Sequence, residues 1–161
     1  MLRWQLGNDV GGRLTVSLIG VLDENADLRP LGELSGTVAI DLSGVKRISS
    51  TGVREWIDLM RTLDGRCHVT LVACSPPTVT QLNLIANFRG AAEVESFIAP
   101  YECAKCGAER EVLLDATAAS HRGPHVPRLS CACGQPMQLS ELPERYLTFL
   151  ADQRAGRVAR A

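Results

Sequence analysis

Aromatic residues are scarce, 4% of 161, which leaves little with which to stack nucleic-acid bases. Neither sign of charge is in excess. Net charge is −1 and the isoelectric point about 6.3, so no overall field draws the chain to nucleic acid or to an anionic membrane. No apolar run approaches the roughly 20 residues that span a bilayer. The opening MLRWQLGNDVGG also lacks the basic and apolar regions of a secretion signal. A cytoplasmic protein with no membrane partner is therefore expected. Catalytic patterns are missing as well: there is no Gly-rich phosphate loop, no zincin helix, and no Ser/His/Asp set that spacing would bring together. An enzyme is not expected. There is no internal repeat and no low-complexity tract, and the length suits one core with a small appendage.

What is present is organised around residues 37–63, TVAIDLSGVKRISSTGVREWIDLMRTL. Val38, Ala39 and Ile40 form a β-prone run that ends at Asp41, with Ser43-Gly44 as a turn signal. Val53, Ile57, Met60 and Leu63 then recur at helical spacing, with Trp56 and Leu59 widening the stripe. Ser49, Ser50 and Thr51 fall at the N-terminus of that helix. A hydroxyl there can cap the unpaired amides of the first turn, or it can accept a phosphate that the helix dipole tolerates. Lys46, Arg47 and Arg54 flank the hydroxyl run, either as solvated surface charge or as groups that dock a partner or pair with a phosphate.

At these residues the chain resembles the STAS family, the domain of bacterial anti-sigma-factor antagonists. That family carries a strand ending in D-L-S-G-V, then an apolar residue, D-S-S-G or D-S-T-G, and a helix. Asp41-Leu42-Ser43-Gly44-Val45 matches, and Ile48-Ser49-Ser50-Thr51-Gly52 matches with Ser49 in the aspartate's place. The resemblance covers residues 1–99. It implies an α/β fold with a STAS-type mixed sheet covered by helices. It also implies that Thr51, just before the glycine, is the phosphoacceptor, with Ser50 and Ser49 as alternates. The implied partner is a serine/threonine kinase that doubles as an anti-sigma factor and contacts Lys46, Arg47, Ser50 and Arg54.

The flanking residues fit this order. Leu2, Trp4 and Leu6, then Leu14, Val16 and Leu18, alternate with polar residues on either side of a Gly-Asn-Asp-Val-Gly-Gly turn, which predicts a hairpin. Leu28, Leu31 and Leu34 mark a short helix weakened by Pro30 and Gly32. Cys67 to Cys74 reads as a strand, and Cys67 and Cys74 as small buried hydrophobes. Ser75-Pro76 starts a helix with Val79, Leu82, Ile85 and Ala86 buried, and Val94 to Ala99 is the last strand.

After Pro100 the character changes. Cys103-Ala104-Lys105-Cys106-Gly107 and Cys131-Ala132-Cys133-Gly134 write a CxxC, 24 residues, then a CxC. A cytoplasmic chain with six cysteines favours thiols or metal ligands over disulfides. Four soft thiolates in a segment too small for its own core favour tetrahedral zinc, in a closed structural site, over an iron–sulfur centre, a redox dithiol or idle thiols. The segment at 100–138 resembles a zinc ribbon, one zinc per chain. The CxC departs from the usual CxxC and strains the knuckle, so His121 or His125 could replace one cysteine. Residues 139–161 read as a terminal helix with Leu142, Tyr146, Leu147 and Leu150 on one face, then a frayed basic tail from Arg154.

Three functions follow as expectations. The first is a non-enzymatic, anti-sigma-factor-antagonist-like regulator in a partner-switching pathway, released from its kinase by phosphorylation at Thr51. The second is a constitutive interaction or scaffold module with a decayed phosphosite. The third is a zinc-ribbon nucleic-acid binder, which the neutral charge argues against.

Overall fold

The computed structural model describes residues 1–117 and 126–160, and of residues 154 and 156–160 the backbone alone. Strands β1 (Arg3–Asn8), β2 (Leu14–Leu22), β3 (Gly36–Ile48), β4 (Cys67–Val72) and β5 (Glu93–Val94) form one sheet in that spatial order. β1 and β2 are the antiparallel hairpin that the alternation predicts, and β2 to β5 are parallel neighbours. Helix α1 (Ser50–Leu63) joins β3 to β4, and α2 (Pro76–Leu84) follows β4. Val38, Ala39 and Ile40 are all buried in succession, as central parallel strands covered on both faces require. The mixed α/β class is thus the observed one.

α1 buries Val53, Trp56, Leu59, Met60 and Leu63 of the stripe read from its spacing, while Ile57, also expected there, is only half-buried. Trp56 is fully buried, stacks on Phe88 at 5.5 Å, and donates its indole N–H to the Phe88 carbonyl at 2.7 Å. That bond satisfies the one polar atom of a large apolar side chain. The weak Leu28–Leu34 segment is a 3-10 helix at Arg29–Glu33, its tight turn consistent with Pro30 and Gly32.

Two strands run further than their local sequence indicates. β3 does not turn at Ser43-Gly44 but continues to Ile48, with β2 advancing fewer residues than β3 at two register shifts. Such bulges let a strand carry turn-like residues without leaving the sheet. Likewise the strand expected over Val94 to Ala99 is divided: Val94 ends β5, and the rest belongs to a separate strand, β6 (Ser96–Cys103), which passes straight through Pro100. Proline is tolerated there because pairing with β9 begins only at Tyr101.

β6 enters a second, four-stranded antiparallel sheet with β7 (Glu109–Asp115), β8 (Leu129–Ser130) and β9 (Pro136–Leu139), in the order β7-β6-β9-β8. The two sheets share one continuous apolar cluster: Leu71, Val94, Phe97 and Ala99 belong to it, and so do Tyr101, Met137 and Leu139. Helices α3 (Pro143–Tyr146) and α4 (Thr148–Arg160) close the chain. Tyr146, Leu147 and Leu150 are buried as expected and so is Phe149, but Leu142 is 63% exposed. The tail expected to fray from Arg154 is helical to Arg160. On α2, Val79 and Leu82 are buried, whereas the helix ends at Leu84 and leaves Ile85 half-buried and Ala86 exposed.

Candidate functional site

The four cysteines lie in the loops of two hairpins. In the β6–β7 hairpin, the Cys103 amide donates to Ala108 and the Gly107 amide to the Cys103 carbonyl, at 2.8 and 2.9 Å. In the β8–β9 hairpin, the Cys131 amide donates to Gln135 and the Gly134 amide to the Cys131 carbonyl, at 2.8 and 2.9 Å. Gly107 and Gly134 both adopt positive φ, +74° and +84°, the conformation that lets each loop fold back under its thiols. The CxC is therefore not a strained CxxC. Its hairpin closes with one residue fewer between the paired ends, and the pair spacing shortens with it.

Antiparallel pairing of β6 with β9, Cys103 opposite Met137, brings the two loops to the same end of the sheet. All four sulfurs then lie within 4.8 Å of one another. The Cys103 and Cys133 sulfurs are 3.6 Å apart, and those of Cys106 and Cys131 3.5 Å. Cys103 and Cys131 are buried, Cys106 and Cys133 exposed.

The backbone amides of Cys106 and Lys105 point at the Cys103 sulfur and lower its thiol to about 6. The Ala108 amide favours the Cys106 thiolate, but the sulfurs of Cys131 and Cys103 outweigh it and hold that thiol above its ordinary value. The Gln135 amide favours the Cys133 thiolate in the same way, yet the neighbouring sulfurs, Cys103 foremost, push it up to about 12. Amides aimed at sulfur prepare thiolates, while mutual proximity forbids ionising several of them without a cation. The set fits a metal ion. His121 and His125, the alternates, lie outside the described residues. Of the two cysteines expected to be buried hydrophobes, Cys74 is fully buried, with burial raising its thiol, but Cys67 is only half-buried and donates to the Leu34 carbonyl.

The second cluster of residues singled out by sequence is the connection from β3 to α1. Ser49 is the N-cap of α1, its hydroxyl accepting from the Gly52 amide at 3.1 Å. Ser50 and Thr51 are exposed, as are Lys46, Arg47 and Arg54. A β-carbon on Gly52 would sit 2.0 Å from the Leu22 carbonyl oxygen, so glycine alone lets the start of α1 lie against the end of β2. The same carbonyl accepts from the Ser49 amide at 2.9 Å. The hydroxyl tip is thus held at the edge where the parallel strands end.

A third feature escaped the sequence reading. Buried Gln153 on α4 accepts from the Val94 amide at 2.6 Å and donates to the Val94 carbonyl at 3.0 Å, so that its side-chain amide pairs with β5 as a strand would. Asn83 on α2 donates to the Tyr146 carbonyl and accepts from the Phe149 amide. The Tyr146 hydroxyl donates to Ile98, and Phe97 packs edge-on against Phe149 at 5.2 Å. These contacts fasten the C-terminal helices to α2, to β5 of the first sheet and to the start of β6 in the second. The signal was faint: a glutamine and an asparagine on otherwise apolar helix faces.

Among the described residues no helix is long and apolar enough to cross a membrane. In comparison with known proteins, no family model matches the chain, and neither a curated protein nor a solved structure matches it.

Proposed function

We propose that the chain is a non-enzymatic regulatory protein of STAS type, similar to anti-sigma-factor antagonists. It binds a serine/threonine kinase anti-sigma factor through the tip formed by Lys46, Arg47, Ser50, Thr51 and Arg54. Thr51 is the switch. The observation that carries this reading is a division of labour among three adjacent hydroxyls: Ser49 is committed to the cap, while Ser50 and Thr51 are exposed on a 14-residue helix N-terminus. A phosphate on Thr51 adds about −1.5 to −2 charges where free amides and the helix dipole accept them. The fold tolerates that charge, but a partner docked over the tip must desolvate it, and binding is lost.

The cysteine cluster is a structural zinc site in a ribbon-like segment. Tetrahedral zinc with Zn–S bonds of roughly 2.3 Å separates its sulfurs by about 3.8 Å. The 3.5 and 3.6 Å contacts lie close to that figure. Zinc neutralises the thiolates that Cys103, Cys106, Cys131 and Cys133 supply, and with four protein ligands it is saturated.

The test is a pull-down from native extract with wild-type, Thr51→Glu and Thr51→Ala baits, joined to phosphate mapping of the endogenous protein. Thr51→Glu is expected to lose a kinase-type partner by at least about tenfold, equivalent to roughly 1.4 kcal/mol, and Thr51→Ala to keep it. Equal retention by all three, with no phosphate on Ser49, Ser50 or Thr51, supports the second reading, a constitutive interaction module. Ser49 favours that alternative to the extent that it serves the cap in place of the family's aspartate.

A further inference from the structure

We propose that the four-cysteine cluster is also an oxidative modification site, where a peroxide converts the thiolates into two disulfides that cross between the hairpins, Cys103–Cys133 and Cys106–Cys131. The inference rests on the tetrathiolate reading of the site and is independent of the partner reading. The Cys103–Cys133 and Cys106–Cys131 sulfur contacts each run from one hairpin to the other, at 3.6 and 3.5 Å. Each couples one exposed cysteine, which meets the oxidant, to one buried cysteine, which resolves it. Closing either contact to a disulfide's length of about 2.05 Å requires movement of about 1.5 Å, shared between two side chains. Pairing within the second hairpin would instead force a bond between Cys131 and Cys133 across one intervening residue, in a small strained ring.

In the first step the exposed Cys106, ionised while the cluster holds a cation, attacks one peroxide oxygen. The O–O bond breaks, hydroxide leaves, and Cys106 becomes a sulfenic acid. The Cys131 thiolate then attacks the Cys106 sulfur and displaces hydroxide as the S–S bond forms. Cys133 and Cys103 repeat the sequence. Four thiolates thereby give two disulfides, their four electrons reducing two peroxide molecules to four hydroxide ions. The oxidised set has no thiolate left to hold a cation, so a metal held by Cys103, Cys106, Cys131 and Cys133 would be released with its own oxidation state unchanged. Because both bonds join the β6–β7 hairpin to the β8–β9 hairpin, the covalent staples replace the metal staple and the second sheet keeps its form.

The experiment treats the purified, metal-loaded full chain with hydrogen peroxide and follows free thiols, released zinc and disulfide linkage. The number of free thiols is expected to fall from six to two, Cys67 and Cys74 remaining reduced, with zinc released in step and both changes reversed by dithiothreitol. Trypsin cuts after Lys105 and so places Cys103 and Cys106 on different peptides, each expected to be joined to the peptide that holds Cys131 and Cys133. Fragmentation between those two residues assigns the partners in wild type. Cys131→Ser provides a second readout: Cys103–Cys133 still forms and Cys106 stays unpaired. A Cys103–Cys106 or Cys131–Cys133 bond, the swapped pairing, or sulfinic acid without disulfide overturns the proposal, as does retention of zinc with all thiols intact under excess peroxide. Protein that carries no metal before treatment overturns the tetrathiolate zinc site instead, a failure visible before any oxidant is added.

Discussion

Ser49, Gly52 and Thr51 occupy four consecutive positions with Ser50, yet the structure gives them three separate demands. Gly52 answers a steric one. With its virtual β-carbon 2.0 Å from the Leu22 carbonyl oxygen and 2.5 Å from the carbonyl carbon, Gly52→Ala must push α1 off β2. We expect a loss of about 1–3 kcal/mol, read from chemical denaturation, and unchanged stability would mean that the helix start adjusts freely. Ser49 answers a hydrogen-bonding demand, so Ser49→Ala should cost about 1 kcal/mol while Ser49→Asp, an equally good cap, restores the loss. Thr51 has no structural demand on it, being exposed. Its replacement by glutamate should move stability by no more than about 0.3–1 kcal/mol, which makes any binding loss in that variant attributable to the interface. A Thr51→Glu protein that melts far below wild type would remove that attribution.

At the scale of elements, the periodic segments were legible and the continuations were not. α1 reads clearly because Val53, Trp56, Met60 and Leu63 repeat with the helix and face one side. Ser43-Gly44 and Pro100 read as ends because each is locally a turn or breaker signal, and tertiary pairing overrides both. No local rule reveals that a bulge will absorb the first or that β9 will join β6 only one residue after the second. The cysteine loops were legible as a cluster from the Cys-Gly repeats alone, but the fit of CxC depends on the shorter hairpin that β8 and β9 make. The attachment of α4 was hidden for another reason: Gln153 and Val94 are 59 residues apart, and the bond is to the backbone, which carries no sequence signature. Gln153→Ala leaves the Val94 amide and carbonyl buried without that partner, and we expect a cost of about 1–3 kcal/mol. Hydrogen exchange should show it locally, as faster exchange along α4. Unchanged exchange there would mean that Phe149, Leu150 and the Asn83 contacts suffice to hold the helix.

At the scale of the whole molecule, two kinds of attachment hold the parts beyond the first sheet, and they are expected to respond differently to the loss of a metal from the cysteine cluster. β8 and β9 reach the rest of the chain through three pairs with β6, from Tyr101–Leu139 to Cys103–Met137, and through the Ser140 amide donating to Pro100. The four sulfurs draw the far end of this short ladder together. α3 and α4 depend instead on Asn83 of α2, on the pairing of Gln153 with Val94 of β5, and on Phe97 and Ile98 in the part of β6 that precedes Pro100 and the cysteine loops. Removing metal under reducing conditions, or replacing Cys106 with Ser, should therefore loosen residues 101–117 and 126–139 together. β3, β4, α1 and α4 should stay protected. The shared apolar cluster limits the damage, since Tyr101 and Leu139 remain packed on it from one side, so the loss is expected as faster exchange and a lower first melting step rather than collapse of the protein. Hydrogen exchange on metal-loaded, chelated and Cys106→Ser protein distinguishes the cases. Protection lost equally in α1 and β9 would make the molecule one cooperative unit governed by the metal, and protection unchanged in β9 would mean that the hairpins stand without it.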